Sequence, residues 1–358
     1  MGEHRAAAVG PDLVRAGDSL GLAPAALAPA VSDPAYRVLV GDDDSAVLLR
    51  RQWTPQGLAE AVLLASAGIG PDTPAVLDTA VAWGCDQVRD RPGGRGVVVV
   101  PPPDDAQPVE QRFLHLAALA ATRVETAVAL ARGTGVDAIK ADGSPSLAAD
   151  EAAHVAAAEV LARLGVPVLS EERTDRRVDE AAPWVVLDPL DGTGNFRAGL
   201  PPWAFSAGLV RGGRAVAGVV VDLSSGRRWW TGDGGAWRDG LPVRPRPGST
   251  VVVPTAPAGG AVAVPSSAHR VRVTGCTAVE LCLVADGSAA AWHDLDRSGA
   301  HVHDVAGGLA LLAAGGGVAL TPDGAELLLH PDTEGRITFV AAECWATAEE
   351  LLRAFDLR

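Results

Sequence analysis

Two aspartates, a glycine and a threonine follow one another closely at the end of a hydrophobic run. Residues 184–187 are apolar, and Asp188, Asp191, Gly192 and Thr193 come directly after them. Carboxylate oxygens are the ligands that Mg²⁺ prefers, a glycine lets the backbone approach an anion, and a threonine can begin a helix. The pattern therefore predicts a strand end that holds a hard cation beside a phosphate. An aspartate-rich turn has a similar composition and is the alternative.

Three further carboxylates stand where predicted elements begin or end. Asp150 precedes a helical pattern, Glu172 follows a short apolar strand, and Asp304 follows His303 at the start of another helical pattern. Each of them alone is typical of a helix cap or a solvated turn. Taken in order with the central pair of aspartates, they predict one acidic site assembled from several segments.

The segments that carry these carboxylates have clear periodicities. Apolar residues at helical spacing predict a helix over residues 109–132, and Asp150 is expected to cap a second helix that runs to about Leu164, with Gly165 at its end. A strand over residues 166–169 leads directly into the pair of glutamates that contains Glu172.

Beyond the central segment the pattern changes from consecutive strands to an alternation of strands and helices. Strands are predicted over residues 204–210, 215–221 and 227–231, with a hairpin signal at Asp239-Gly240. From about residue 250, short strands alternate with helices over residues 278–285 and 304–314. The change predicts a β-meander followed by a second lobe of the α/β type.

The first hundred residues carry no chemical constellation. A strand is predicted over residues 37–40, a helix over 55–67 and a strand over 97–100, and the proline-rich residues 101–105 are predicted to be a linker. This part is expected to be a small accessory or dimerisation domain.

Composition restricts the partners and the compartment. The chain has 358 residues, of which 48% are hydrophobic, and its net charge of −14 argues against nucleic acid polymers and anionic membrane surfaces. Its four cysteines show no metal-binding spacing, and the apolar residues 20–31 are interrupted by Pro24 and Pro29 without a basic cluster before them. We expect a cytoplasmic protein without a secretory signal or a membrane span.

The acidic segments together resemble the inositol monophosphatase superfamily of lithium-sensitive, Mg²⁺-dependent phosphatases. The resemblance covers about residues 106–358. Its matching pieces are residues 140–145 with Asp150, 170–172, 188–196, 235–237 with Gly240, 273–276, and 303–307 followed by the glycines at 315–317. The segment over residues 188–196 is the most specific of these pieces.

The resemblance implies an α/β fold, a layered αβαβα sandwich in which an α+β lobe is followed by an α/β lobe. The expected divisions are an accessory α/β region over residues 1–105, a metal-binding phosphatase lobe over 106–248 and a substrate lobe over 249–358. It also implies a homodimer that hydrolyses a small phosphate ester with two or three Mg²⁺ ions per site, with Mn²⁺ as a substitute, and that is inhibited by Li⁺.

The resemblance also assigns metal ligands. One Mg²⁺ would be held by Glu172, Asp188 and the backbone carbonyl of Leu190. A second would share Asp188 and take Asp191 and Asp304. Two cations are chemically reasonable, because water must attack an anion and the phosphate oxygens need neutralising.

Water activation and phosphate binding are implied in the same way. Thr193 and Asp150 would orient the attacking water and help to deprotonate it, assisted by Glu172. The backbone N–H groups of Gly192 and Thr193 would receive the phosphate, and no covalent phosphoenzyme is required.

Several positions depart from the family pattern. None of these departures removes a metal-binding carboxylate, so they bear on which substrate is bound more than on metal binding. The departures are Leu147 for Thr, Ser170 for Gly, Cys276 for Ser or Thr, His303 for Trp, and Gly307 in a run of small residues. Asp191, Cys276, Asp296 and Arg297 are candidate substrate-binding residues, and Lys140, the only lysine of the chain, is a candidate accessory residue. His301 and His303 could face one side of a strand as a zinc pair, although a packing change explains His303 better.

The leading hypothesis is a Mg²⁺-dependent phosphomonoesterase that acts on a small polyol, cyclitol or sugar phosphate. The enzymatic alternatives are a 3′(2′),5′-bisphosphate nucleotidase, a fructose-1,6-bisphosphatase and a histidinol-phosphatase. A catalytically silent phosphate or metal sensor is the alternative outside enzymes.

Overall fold

The computed structural model describes most of the chain after residue 107 and several strands before it. The described residues are 28–29, 36–40, 46–54, 57–65, 95–100, 108–131, 136–139, 145–172, 178–232, 234–254, 268–295 and 299–356. For the strands before residue 148, only the backbone is described. The chain divides into two compact units, Met1–Thr126 and Ala127–Arg358.

The first unit contains a five-stranded sheet and most of a long helix. Its strands are β1 (Ala28–Pro29), β2 (Tyr36–Val40), β3 (Ala46–Thr54), β4 (Gly57–Ala65) and β5 (Arg95–Val100), in that order across the sheet. The first four pair antiparallel, and β5 is parallel to β4. The strands predicted over residues 37–40 and 97–100 are confirmed, whereas the linker predicted over 101–105 lies outside the described residues.

The helix predicted over residues 55–67 is wrong, since this segment forms strand β4. Eight of its nine residues, Gly57 to Leu64, pair with β3, and Glu60 to Ala65 pair with β5. An apolar run of this length fits a central strand as well as a buried helix, and pairing on both edges decides the outcome.

Helix α1 (Val109–Leu130) confirms the predicted amphipathic helix. Phe113, Leu116, Ala120 and Val124 are buried at intervals of three or four residues. Among the described helices, α1 is long and apolar enough to cross a membrane, and about half of its apolar window is buried inside the protein. A core helix meets the same criteria, so this finding is weak support for a membrane span.

The second unit begins with a short hairpin and a helix. The hairpin is β6 (Val136–Ile139) with β7 (Pro145–Leu147), and helix α2 (Ala148–Leu161) continues as a 3₁₀ turn to Leu164. Gly165 ends it with φ of +77°, as predicted. Asp150 is the third residue of α2 and not its cap, because the helix begins two residues earlier than its apolar pattern indicates.

A seven-stranded sheet forms the centre of the second unit. Its strands are β8 (Val168–Ser170), β9 (Trp184–Asp191), β10 (Ala204–Arg211), β11 (Arg214–Asp222), β12 (Arg228–Gly232), β13 (Gly235–Arg238) and β14 (Leu241–Val243), which follow one another across the sheet. Only β8 and β9 pair parallel within it. The predicted meander is confirmed, and Asp239 and Gly240 form the hairpin turn with positive φ. Between β9 and β10 lies the short helix α3 (Thr193–Ala198).

The remaining segments form a five-stranded sheet, a two-stranded sheet and three helices. The five-stranded sheet has the order β16-β15-β17-β21-β19, with β15 (Thr250–Val253), β16 (Arg270–Val273), β17 (Ala291–His293), β19 (Val318–Leu320) and β21 (Val340–Ala342). The strands β18 (Ala300–His301) and β20 (Arg336–Ile337) pair separately. The helices are α4 (Thr277–Ala285), α5 (Val302–Ala314) and α6 (Trp345–Asp356), so the predicted alternation is confirmed.

Helices α4 and α5 share one core with both large sheets. A single buried cluster contains Trp184 and Val220 of the first sheet, Leu281 of α4, Val305 of α5 and Trp292 of the second sheet. A second cluster packs α6 against the five-stranded sheet. The second unit therefore has the layered α/β architecture that was predicted. The predicted divisions at residues 105/106 and 248/249 remain predictions.

Glycines bring helix α5 unusually close to the seven-stranded sheet. A Cβ atom on Gly208 of β10 would lie 2.7 Å from the carbonyl carbon of Ala306, and one on Gly307 would lie 2.6 Å from Ser206 Oγ. Side chains larger than hydrogen would push the helix away from the sheet. This contact fixes the distance between the sheet and α5, the helix that carries Asp304.

We expect Gly208→Ala to destabilise the protein by about 1–3 kcal/mol, because the added methyl group meets the backbone of α5 and forces it to shift. Urea unfolding measures the change in the free energy of unfolding. The matched control is Gly248→Ala, whose Cβ would have no neighbour closer than 3.7 Å. Equal stability of the two variants would contradict the close packing.

Candidate active site

A bulge at the end of β9 turns Asp188 and Asp191 toward the same face of the sheet. Asp188 lies opposite Ser206 and Asp191 lies opposite Ala204, so three steps along β9 match two steps along β10. Residues three apart in a regular strand point to opposite faces, and the extra residue cancels that alternation. Asp188 Oδ1 accepts a hydrogen bond from the Leu190 backbone N–H at 3.0 Å within the bulge.

Two groups of side chains that could hold metal ions share Asp188. The first consists of Asp188, Asp191 and Asp304, and the second consists of Glu171, Asp188 and His303. Within each group, one candidate ligand atom per residue lies within 4.8 Å of the others. The structure thus brings together three of the predicted metal ligands, which come from two distant parts of the sequence.

Without a cation, the negative charges of the three aspartates would repel one another. Asp188 is 1% exposed and Asp191 is 9% exposed. Burial, followed by the nearby charge of Asp304, raises the pKa of Asp191 well above its ordinary value. Because buried like charges repel one another, a bound divalent cation would relieve the repulsion and keep all three carboxylates ionised. The donor set, oxygen throughout, fits Mg²⁺.

The sequence predicts a helix that begins at Asp304. In the structure α5 begins two residues earlier, so Asp304 is its third residue. Its Oδ2 atom accepts a hydrogen bond from the His301 backbone N–H at 3.0 Å and caps the helix start. The other oxygen, Oδ1, lies 3.5 Å from His303 Nε2. His301 and His303 do not lie on one side of a strand, the arrangement that the sequence analysis disfavoured, since His301 ends β18 and His303 lies in α5.

The start of α4 holds the side chain of Asp191. Asp191 Oδ2 accepts hydrogen bonds from the Ala278 backbone N–H at 2.7 Å and from Cys276 Sγ at 3.1 Å. Burial, followed by the charge of Asp191, raises the pKa of the Cys276 thiol well above its ordinary value, so the thiol keeps its proton and donates. Cys276 was predicted to bind substrate, and the structure places it, fully buried, against a predicted metal ligand.

Thr193 and Asp150 meet although they are far apart in sequence. Thr193 Oγ1 lies 3.2 Å from Asp150 Oδ1 and 3.1 Å from the Leu190 carbonyl oxygen. Its single proton can be donated to either acceptor, and its lone pairs are left for another donor. Asp150 is 1% exposed. This is the pair that the resemblance assigns to water activation.

Of the two adjacent glutamates, Glu171 is the one that joins a metal-binding group. Glu172, the predicted ligand, belongs to neither of the two groups among the described residues. Glu171 continues the pairing with β9, since its backbone N–H donates to the Leu187 carbonyl. Ser170, which replaces the usual glycine, pairs with His154 Nδ1 at 2.8 Å.

A turn over residues 274–276 packs directly on Gly192, which has φ of +81°. A Cβ atom on Gly192 would lie 3.1 Å from the Pro202 carbonyl oxygen and 3.3 Å from Cys276 Cβ. Asn195 joins the same parts, because its Nδ2 donates to the carbonyls of Pro202 and Thr274 at 2.8 and 2.7 Å. Only glycine fits this crowded left-handed position at the start of α3.

The side chain of Glu280 holds that turn through hydrogen bonds. This residue was not identified from the sequence. Its Oε1 atom accepts hydrogen bonds from the Thr274 backbone N–H, the Thr274 hydroxyl and the Gly275 backbone N–H at 2.8–3.0 Å. Its Oε2 atom accepts one from Trp292 Nε1 at 2.9 Å. A buried carboxylate with these partners fixes the turn that contacts Gly192 and Asp191.

We expect part of the stability of the protein to be lost as the pH rises from about 4.5 to about 7. Burial raises the pKa of Glu280 to about 7, although hydrogen bonds from Thr274 and Trp292 oppose the shift. The folded state therefore holds the Glu280 proton more tightly than the unfolded chain does. The stabilisation is complete below the unfolded pKa and disappears as the pH passes the folded one.

Urea unfolding of the wild type and of Glu280→Gln at about pH 5 and about pH 8 measures this contribution, because glutamine cannot ionise. The wild type should lose up to about 3 kcal/mol more than the variant between the two pH values. Parallel pH profiles would show that Glu280 ionises normally.

Three predicted residues cannot be placed. Lys140, Asp296 and Arg297 lie outside the described residues, so their proposed accessory and substrate-binding roles remain predictions.

Comparison with known proteins assigns the family. The model of the inositol monophosphatase family matches residues 105–357. The chain belongs to this family. A fructose-1,6-bisphosphatase/inositol-1-monophosphatase of Thermococcus kodakarensis is 36% identical over 171 residues, which are 46% of this chain and 65% of that protein. A protein of the same name from Archaeoglobus fulgidus is 31% identical over 210 residues, which are 56% of this chain and 80% of the relative.

A solved structure supports the fold of the inositol monophosphatase family. It is a hypothetical protein from Pyrococcus horikoshii with similarities for inositol-1 monophosphatase, with a TM-score of 0.57 and 22% identity. The match covers 66% of this chain and 94% of the other. The inositol monophosphatase family consists of metal-dependent phosphatases, which are phosphoric monoester hydrolases that act on small phosphate esters.

Proposed function

We propose that this member of the inositol monophosphatase family is a Mg²⁺-dependent phosphomonoesterase for a small polyol, cyclitol or sugar phosphate. The observation that carries the proposal is the convergence of Asp188, Asp191 and Asp304 beside the Thr193–Asp150 pair. Three carboxylates suit a hard cation, and the neighbouring hydroxyl–carboxylate pair suits a water molecule.

The metal ligands are assigned from the two groups that share Asp188. Asp188, Asp191 and Asp304 would hold one Mg²⁺. Glu171 and Asp188, which belong to the second group, would hold another ion together with the Leu190 carbonyl that the resemblance assigns. Glu171 takes the place that the resemblance gave to Glu172. Bound divalent ions supply neutralisation of the phosphate oxygens and a lower pKa for water. Two or three Mg²⁺ ions, or Mn²⁺ in their place, remain the expected complement.

The Thr193–Asp150 pair would orient the attacking water and receive its proton. When the Thr193 hydroxyl donates to Asp150, its lone pairs can accept a hydrogen bond from water and direct the oxygen of that water toward the phosphorus. Asp150 is buried in the same place and can accept the proton through the hydroxyl. Thus the chain itself supplies both the position and the base.

The phosphate would lie against the start of α3. The turn over residues 274–276 and Pro202 pack against Gly192 and hold its backbone in the left-handed region. The N–H groups of Gly192 and Thr193 would then donate to phosphate oxygens. Asp191 and Cys276 are both candidate substrate-binding residues. Cys276 would act indirectly, because its thiol donates a hydrogen bond to Asp191.

A fructose-1,6-bisphosphatase activity is the second candidate. Two of the relatives that match this chain carry both names, fructose-1,6-bisphosphatase and inositol-1-monophosphatase. A substrate with two phosphates would also suit the positive charge of Arg297, a candidate substrate-binding residue. The same fold could therefore serve a cyclitol phosphate or a sugar bisphosphate.

Phosphate release from the full-length protein tests the proposal. The substrates are myo-inositol 1-phosphate, fructose 1,6-bisphosphate, histidinol phosphate and 3′-phosphoadenosine 5′-phosphate, each with Mg²⁺ and after chelation. We expect turnover of the first or the second, lost on chelation and restored by Mg²⁺. Inactivity on every substrate with Mg²⁺ and Mn²⁺ would favour the silent sensor.

The assembly and the compartment are further parts of the proposal. We propose a cytoplasmic homodimer: the resemblance implies the dimer, and four cysteines without metal-binding spacing favour a reducing compartment. Sedimentation equilibrium of the full-length protein distinguishes a dimer from a monomer.

A further inference from the structure

His303 is a buried side chain in which one ring nitrogen, Nδ1, has no hydrogen-bond partner among the described residues. The residue lies in the first turn of α5, and its side chain is 6% exposed. Leaving a buried polar atom without a partner costs about 1–3 kcal/mol, so a group that supplies one would stabilise this arrangement.

The imidazole lies among carboxylates. Glu171 follows β8, Asp188 ends the regular part of β9, and one ligand atom of each lies within 4.8 Å of a ring nitrogen of His303. This group offers one nitrogen and two oxygens, whereas the neighbouring group of three aspartates offers oxygens alone. The two groups share Asp188 and therefore would hold adjacent ions of different character.

A neighbouring ring holds the orientation of His303. The rings of His301 and His303 stack with centroids 4.9 Å apart and an angle of 10° between their planes. His301 is itself anchored, because its Nδ1 lies 3.2 Å from the Gly335 carbonyl oxygen. The stack restricts rotation of the His303 ring, which is the preorganisation that a metal ligand needs.

We propose that His303, Glu171 and Asp188 form a mixed nitrogen–oxygen site that binds Zn²⁺ more tightly than Mg²⁺. Imidazole nitrogen suits Zn²⁺, while Mg²⁺ prefers oxygen ligands and retains its water. One histidine and two carboxylates match the ligand types of zinc sites that keep an open position. The site is adjacent to the all-oxygen group, which continues to suit Mg²⁺. The inference rests on the proposed function, because Glu171 and Asp188 are also the ligands proposed there for the second ion, and it changes the identity of that ion from Mg²⁺ to Zn²⁺.

Calorimetric titration of the metal-free full-length protein tests this site without measuring hydrolysis. We expect Zn²⁺ to bind more tightly than Mg²⁺, and His303→Phe to weaken Zn²⁺ binding by at least about 10-fold while leaving Mg²⁺ binding close to that of the wild type. His330→Phe is the matched control, because it makes the same chemical change at an exposed histidine outside both metal-binding groups. It should bind Zn²⁺ like the wild type.

Titration with Co²⁺ gives a second readout, since its visible spectrum reports nitrogen ligation. The spectrum of the wild type should resemble that of His330→Phe and differ from that of His303→Phe. If His303→Phe does not fold, as judged by circular dichroism, His303→Gln replaces it. Unchanged Zn²⁺ affinity in the His303 variant, or equal affinity of the wild type for both ions, would overturn the proposal. Because no phosphate ester is present, failure here is separate from failure of the hydrolytic function.

Discussion

Asp188→Asn is expected to lower phosphate release by at least about 10³-fold. Asp188 is the one residue that both metal-binding groups contain, so neutralising it weakens both at once. Metal ions contribute several kcal/mol to the stabilisation of transition-state charge, and each 1.36 kcal/mol corresponds to a factor of ten in rate. The measurement is kcat/KM with saturating Mg²⁺, accompanied by calorimetric titration with Mg²⁺.

Asp323→Asn is the matched control, because it makes the same chemical change at an exposed carboxylate outside both metal-binding groups. It should retain the activity of the wild type. If Asp188→Asn hydrolysed the ester at the parental rate, the assignment of the metal site would be incorrect.

Thr193→Val is expected to lower kcat by about 10²- to 10⁴-fold, which is the usual contribution of general acid–base catalysis. Valine keeps the shape of threonine but removes the hydroxyl that lies 3.2 Å from Asp150 Oδ1. The carboxylates of the all-oxygen group are unchanged, so Mg²⁺ affinity should stay close to that of the wild type. Steady-state kinetics and Mg²⁺ titration together separate loss of water activation from loss of metal.

The control for Thr193→Val is Thr321→Val. The Thr321 hydroxyl also bonds to an aspartate, Asp323, and to a backbone carbonyl, that of Ala325, but it lies outside the metal-binding groups. Its loss removes a comparable pair of hydrogen bonds and should leave kcat unchanged. An active Thr193→Val enzyme would mean that another group receives the proton of the water.

The sequence was most informative where local chemistry and chain order coincide. The segment from Asp188 to Thr193 combines strand, metal-type carboxylates and helix start within a few residues, and the structure places its side chains together as expected. The meander was equally readable, since glycines and a hairpin signal mark its turns. Periodicity identified α1 because its buried positions recur at three and four residues.

The details that the sequence did not give depend on tertiary contacts. Which of Glu171 and Glu172 faces the aspartates is decided by the turn after β8, and adjacent residues have identical chemistry. The apolar run of β4 predicts a helix, because nothing within the run indicates that β3 and β5 pair with it from either side.

The supporting polar residues were missed for the same reason. Glu280 looks like an ordinary helical glutamate, and its partners Thr274 and Trp292 lie on opposite sides of it in the chain. His154 and Ser170 are 16 residues apart and meet only when α2 lies beside β8. No pattern of spacing in one sequence marks such pairs.

The extra residue in β9 makes the site tolerant of one kind of genetic change and intolerant of another. Replacing Pro189 leaves the chain length between the two aspartates unchanged, so their common orientation can persist. Inserting one residue between them, with the bulge retained, would leave them three strand positions apart and send Asp191 through the sheet, away from Asp304. Variation within this segment should therefore consist of substitutions, while inserted residues should accumulate elsewhere.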